Sequence, residues 1–156
     1  MLKNSLLASA VTIGTAKQKI HALQLIGYWQ LLDLRELVIN TTFNPQVAPE
    51  IRIAALRSTS HFPEIAEHRL DDLAALSAAP GDEGIRHAAL DTLTAMNPGR
   101  AAQIAAKALI AAGPDEPLEP YLIPFLTRAD GALALASSLQ KSELSLRLRD
   151  RIRGAL

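Results

Sequence analysis

Ile51-Arg52-Ile53-Ala54-Ala55-Leu56 is echoed 34 residues later by Ile85-Arg86-His87-Ala88-Ala89-Leu90, with five of the six residue types retained. Stepping back 33 residues finds Gln18-Lys19-Ile20-His21-Ala22-Leu23, a weaker copy that keeps the cation, one Ala and the Leu. Two further columns share the spacing: Trp29, Phe62 and Met96, and then Leu37, Leu70 and Ile104. Shared Ile and Arg positions cannot be put down to a composition rich in Ala and Leu. Self-similarity at this period is the mark of stacked helical units.

Each unit reads as a helical hairpin. On a 3.6-residue period Ile51, Ala54, Ala55 and Phe62 fall on one stripe, as do Ile85, Ala88, Ala89 and Met96. Small residues in mid-stripe let two helices approach closely, and the bulky residue near the end plugs the wider space. Leu56 and Leu90 lie about 140° from the lead Ile, so these helices are apolar on two sides. A helix sandwiched between its own partner and the next unit has that pattern. Breakers separate the units: Asn44-Pro45 through Pro49, then Pro80-Gly81-Asp82, then Gly113-Pro114. Asn97-Pro98 has the form of an N-cap followed by a first-turn proline, and Pro63 is expected to open the preceding second helix in the same way. Helices are expected near 3–13, 16–27, 30–41, 50–61, 64–78, 84–96, 99–112, 119–127, 130–141 and 144–155.

Composition agrees with an all-α chain. Ala and Leu together supply 53 of 156 residues, against one Trp, two Tyr and three Phe. A 34-residue helix pair cannot bury its apolar face alone, so the expected fold is a right-handed α-solenoid of antiparallel helix pairs. Units of about 16–44, 50–80 and 84–113 would fill residues 1–112. Residues 113–156 would form a Pro-rich joint, with Pro114, Pro117, Pro120 and Pro124, followed by capping helices. A helix beginning near Glu119 is expected there, kinked or restarted at Pro124.

The motif Ile-Arg-x-Ala-Ala-Leu followed by a proline-opened helix resembles HEAT repeats, a family of the armadillo-type superhelix, over roughly residues 16–112. The stretch from Arg86 through Ala112, then Leu118 to Leu156 with Gly131-Ala132-Leu133-Ala134, also resembles a segment of large bacterial proteins. Those proteins join a dehydrogenase-like β-propeller, HEAT repeats and a c-type haem domain. That resemblance implies a helical spacer. The Cys-x-x-Cys-His haem attachment is not in this sequence, so no redox role passes to any residue here.

Zero cysteines exclude thiolate metal sites, disulfides and Cys nucleophiles within these residues. Sixteen basic and sixteen acidic residues balance, removing the broad field on which nucleic-acid binders draw. No apolar run is long enough to span a bilayer. The stretch Met1–Ala16 has Lys3 before a short apolar run but a poor cleavage site, and it reads as an amphipathic helix. The chain is thus expected to be soluble, and extracytoplasmic only on the haem-protein resemblance.

Lys19, Arg52 and Arg86 form a polar column, expected to bridge to neighbouring carboxylates or helix-end carbonyls. The acceptors in view are Asp33, Glu50, Glu64, Asp82 and Glu83. Arg147, Arg149, Arg151 and Arg153 alternate through the last helix beside Leu148, Ile152 and Leu156, the pattern of a cationic cap. Of these, Lys19, Arg52, Arg86, Arg147 and Arg151 are the candidate partner or inter-repeat contacts. The HEAT-type deoxyhypusine hydroxylases hold iron with His-Glu dipeptides, whereas His21, His61, His68 and His87 are followed by Ala, Phe, Arg and Ala. Asp71-Asp72, Asp82-Glu83 and Asp115-Glu116 read as solvated or capping carboxylates. No cofactor or catalytic constellation is expected. The expected function is a non-catalytic scaffold or spacer binding a protein partner or neighbouring domains of a parent chain. Its surface would be the second helices, around 33–40, 66–74 and 100–107. The alternative is a nucleic-acid binder resembling HEAT-like DNA glycosylases, using the sparse cation column and the last helix.

Overall fold

The computed structural model describes residues 2–62, 65–142 and 144–155. Helix makes up 77% of it, with no strand among the described residues. The α-helices run in the order α1 (Leu2–Ile13), α2 (Ala16–Tyr28), α3 (Arg35–Phe43), α4 (Pro49–Thr59), α5 (Glu67–Ala78), α6 (Glu83–Met96), α7 (Pro98–Ala111), α8 (Glu119–Leu126), α9 (Ala129–Gln140) and α10 (Leu146–Gly154).

Local chemistry accounts for most boundaries. Thr15 and Gln18 form a capping box at α2, the Gln18 side chain accepting from the Thr15 N–H at 2.9 Å. Asp82 accepts from the Ile85 N–H at 2.9 Å to cap α6, and Asn97 accepts from the Arg100 N–H at 3.0 Å to cap α7. The Asn97-Pro98 reading therefore holds, with Pro98 in the first turn. Ser145 caps α10 through the Leu148 N–H at 3.2 Å.

Two boundaries differ from expectation. The helix expected over 30–41 is instead a 3-10 turn, Leu32–Leu34, followed by α3. Its cause is the end of α2, where Gln30 adopts φ 49°. There the Gln30 N–H donates to Gly27 O at 2.9 Å and the Leu31 N–H to Ile26 O at 3.0 Å. Those paired bonds are a Schellman stop, usually built on glycine. The expected opening at Pro63 and Glu64 lies outside the described residues. The helix that follows begins at Glu67, leaving Ile65 and Ala66 in extended chain.

Neighbouring helices pack as α1 with α2, α3 with α4, α5 with α6, and α6 with α7. Alternate helices also lie side by side: α2 with α4, α4 with α6, α6 with α8, and likewise α5 with α7 and α7 with α9. The core divides into two clusters, and α4 belongs to both. Ile51, Ala54 and Ala55 pack with Val11, Leu23, Ile26, Val38 and Phe62. Leu56, on another side of α4, packs with Leu73, Ile85, Ala88, Ala89 and Leu93. Ala55 and Ala89 are fully buried. The second cluster continues through Leu118, Tyr121, Leu122, Phe125, Leu135 and Leu148, so the last helices close onto the core of α6 and α7. After a non-helical joint over 112–118, α8 starts at Glu119 and runs through Pro124 to Leu126.

Close approach is possible because the contacts are small. A Cβ on Gly27 would stand 2.9 Å from the Cα and Cβ of Ser58 and 3.0 Å from its carbonyl oxygen. Thr92 of α6 donates to Leu56 O at 2.9 Å as well as to Ala88 O within its own helix, joining α6 to the main chain of α4. Of the column expected to plug the hairpins, Phe62 is buried and Met96 partly so, but Trp29 is 43% exposed. Trp29 sits at the end of α2 with the Lys3 ammonium 3.4 Å from its ring centre, a cation–π contact.

Candidate functional site

The cation column divides. Arg52, on α4, donates from Nε to Thr42 O at 3.0 Å, satisfying a carbonyl in the last turn of α3. Arg86, one period on, does something else. Its Nη2 stands 3.6 Å from Glu83, whose side chain is 77% exposed, and its buried Nε has no hydrogen-bond partner. Lys19 lies partly exposed on α2. Asp33, one of the acceptors in view for the column, accepts instead from the Asn4 side chain at 3.0 Å.

Arg151, on α10, donates to two main-chain carbonyls of the preceding joint, Gly113 O at 2.9 Å and Glu116 O at 2.6 Å. It is a tether between the last helix and the segment after α7. Arg147 is exposed and lines the same cleft as Arg151, beside Leu109, Pro114 and Leu148. Arg153 pairs with Asp150 at 3.5 Å on the outer side of the helix.

Between α5 and α7 the charges interlock. Arg100 of α7 reaches Glu67 at 3.4 Å and also pairs with Asp71, both on α5. Asp72 accepts from Arg69 at 3.2 Å, so the two adjacent carboxylates serve different cations. Arg69 also lies 5.4 Å from the ring centre of Phe43 at the end of α3. These residues connect α3, α5 and α7 on the surface that the sequence singled out. Arg100 and Arg69 carry no signal of their own in the sequence. The offset of 29 residues from Arg100 to Asp71 could have been found only by laying the units over one another.

Between α5, α6, α7 and α8 lies a cavity of about 420 Å³. Arg86, Lys107, Ser77, Glu116 and Tyr121 supply its polar groups, and Ile104, Ala108 and Ala111 its apolar wall. The Glu116 carboxylate is held on both oxygens, accepting from the Tyr121 hydroxyl at 3.0 Å and from the Gly113 N–H at 3.2 Å. His87 meets the Tyr121 ring edge-on, with centres 5.5 Å apart. Burial lowers the His87 pKa, Arg86 acts in the same direction, and Glu83 and Glu116 oppose them. Burial raises the Tyr121 pKa, the hydrogen bond and charge of Glu116 add to the rise, and Arg86 opposes it. The sequence motif sets Arg86 in the column, but nothing in it groups Arg86 with Lys107, Glu116 and Tyr121, because 35 residues separate Arg86 from Tyr121.

No family model, no curated protein and no solved structure matches this sequence. Among the described residues, no three His, Asp or Glu side chains gather as a metal would require. No described helix is long and apolar enough to cross a membrane.

Proposed function

We propose that this chain is a HEAT-like α-solenoid and a non-catalytic scaffold or spacer, presenting its second helices to a protein partner or to neighbouring domains of a larger protein. The observation that carries this reading is the double burial of α4, with Ile51, Ala54 and Ala55 in one cluster and Leu56 in the next. A helix of a closed bundle needs one apolar stripe. A helix inside a stack needs two, since each unit covers the one before it. The succession of α2, α4, α6 and α8, each beside the last, supports the same arrangement. The interlocked charges of Arg100, Glu67 and Asp71 suit a surface that is polar, ordered and broad. The helical spacer of a propeller–haem protein is one form of this proposal.

The test is site-specific photocrosslinking in the cells that produce the protein. A crosslinker at Glu36, His68 or Gln103, exposed positions on α3, α5 and α7, should yield a discrete adduct. The same crosslinker at Arg57 or Ala95, exposed positions on α4 and α6, should not. Equal yields from both sets, or none from either, would remove the second helices as the docking face. The nucleic-acid alternative would enlist the column of Lys19, Arg52 and Arg86 together with the last helix, but Arg52 and Arg151 both spend donors on main-chain carbonyls. Fluorescence anisotropy with labelled DNA at low salt decides it, because phosphate contacts give affinity that falls steeply as salt rises.

A further inference from the structure

The gap between successive units occurs twice, and the two occurrences are chemically different. The first is lined by Phe43, Arg52, Asp72 and Leu76. There the Arg52 Nε is satisfied by Thr42 O, Phe43 fills space beneath Arg69, and Asp72 supplies a negative charge. Thirty-four residues on, Ser77 stands in the place of Phe43, Arg86 in that of Arg52 and Ala106 in that of Asp72. The aromatic filler is gone and so is the carboxylate, while Lys107 is added to the lining.

We propose that the cavity between α5, α6, α7 and α8 binds a small organic carboxylate, its acyl chain against Ile104, Ala108 and Ala111 and its charge taken by Arg86 and Lys107. The cavity, at about 420 Å³, is within the range of small-ligand sites. Two cations face one carboxylate, Glu116, and both oxygens of that carboxylate are already engaged. Arg86 has one distant and mostly exposed ion-pair partner and a buried Nε without an acceptor. A guanidinium in that state lacks the bidentate partner that its planar fork is shaped to take. An apolar wall in the same cavity as the charge selects a carboxylate bearing a short chain over an inorganic anion. The inference is separate from the docking proposal, since it concerns the space between units and not their outer face.

Hexanoate is the probe, with hexanol and hexylammonium as controls, and the His87 and Tyr121 ring resonances are followed by NMR on the whole chain. Hexanoate should shift both saturably with a Kd on the order of 1–10 mM, as its few heavy atoms allow. It should also raise the His87 pKa, because a bound anion offsets the effect of Arg86. Arg86→Gln should weaken binding about 10-fold or more and Lys107→Gln about 3-fold, while Arg52→Gln, in the other gap, should leave it unchanged. If Arg86→Gln fails to fold, exposed Lys107 carries the test. Absence of a saturable shift up to about 100 mM hexanoate would overturn the proposal. So would equal binding of hexanol, an unmoved His87 pKa, or binding indifferent to both variants.

Discussion

Replacing Gly27 with alanine probes the close approach of α2 to α4. Gly27 has an ordinary helical φ, since Gly81 is the glycine with a positive one, so backbone freedom does not explain it. What explains it is Ser58, whose Cα, Cβ and carbonyl oxygen would stand 2.9, 2.9 and 3.0 Å from the new methyl group. Two of those three atoms are main chain and cannot rotate away, so α2 must shift against α4. Overpacking of this kind costs about 1–3 kcal/mol. The same substitution in an unobstructed helix interior gains about 0.8–1.0 kcal/mol from propensity. The net expectation is a loss of up to about 2 kcal/mol, or a fall of up to about 8 °C in Tm for a chain of this size. Gly99→Ala is the control, because its methyl would meet nothing nearer than Asn97 Oδ1 at 3.8 Å. It should hold or raise Tm. Ser58→Gly removes one of the three obstructing atoms and should rescue Gly27→Ala only in part. Both variants would be compared by circular dichroism melting. If Gly27→Ala stabilises the protein as Gly99→Ala does, α2 and α4 are not in van der Waals contact at this point and the packing argument fails.

Ala89→Arg, at a fully buried position in the same cluster as Leu56 and Leu73, should abolish cooperative unfolding. An unpaired guanidinium there costs several kcal/mol against a total stability of about 5–15 kcal/mol, and a sharp native-like melt would refute the register of α6. Arg151→Ala removes two charged donors from the Gly113 and Glu116 carbonyls. It should cost about 1.5–3 kcal/mol and speed hydrogen exchange in α10 more than in α4, as measured by mass spectrometry. His87 has a folded pKa below its unfolded value, so its contribution is present above pH 6.5 and is lost as pH falls through the lowered value. Tyr121 has a folded pKa above its unfolded value, so its contribution is present below pH 10.0 and declines as pH rises beyond it. Denaturant midpoints in a His87→Gln variant should be flatter than wild type between pH 6.5 and the acid limb, and an unchanged slope there would contradict the burial of His87.

The helices were legible in the sequence wherever a local signal marked their ends. Asn97-Pro98 and Asp82 stop or start a helix through bonds spanning three residues, and such bonds form largely irrespective of the rest of the chain. The all-helical class followed from Ala and Leu content, and the buried stripe Ile51, Ala54, Ala55 followed from a 100° step. Where a boundary depends on a residue used against its preference, the sequence misleads. Gln30 takes the left-handed stop that glycine usually supplies, and no local reading of Gln30 announces it. The candidate site was legible only in part for a related reason. Arg52 and Arg86 occupy the same position in the same motif, yet one is satisfied by Thr42 and the other faces a cavity. What separates them is the identity of residues brought up from other helices, Phe43 and Asp72 in one gap and Ser77, Lys107 and Glu116 in the other. Periodicity determines which side of a helix is buried, because it acts within a few turns. Which cation is spent on a carbonyl and which lines a cavity is decided by packing between helices, where residues 10 to 35 positions apart first come within reach of one another.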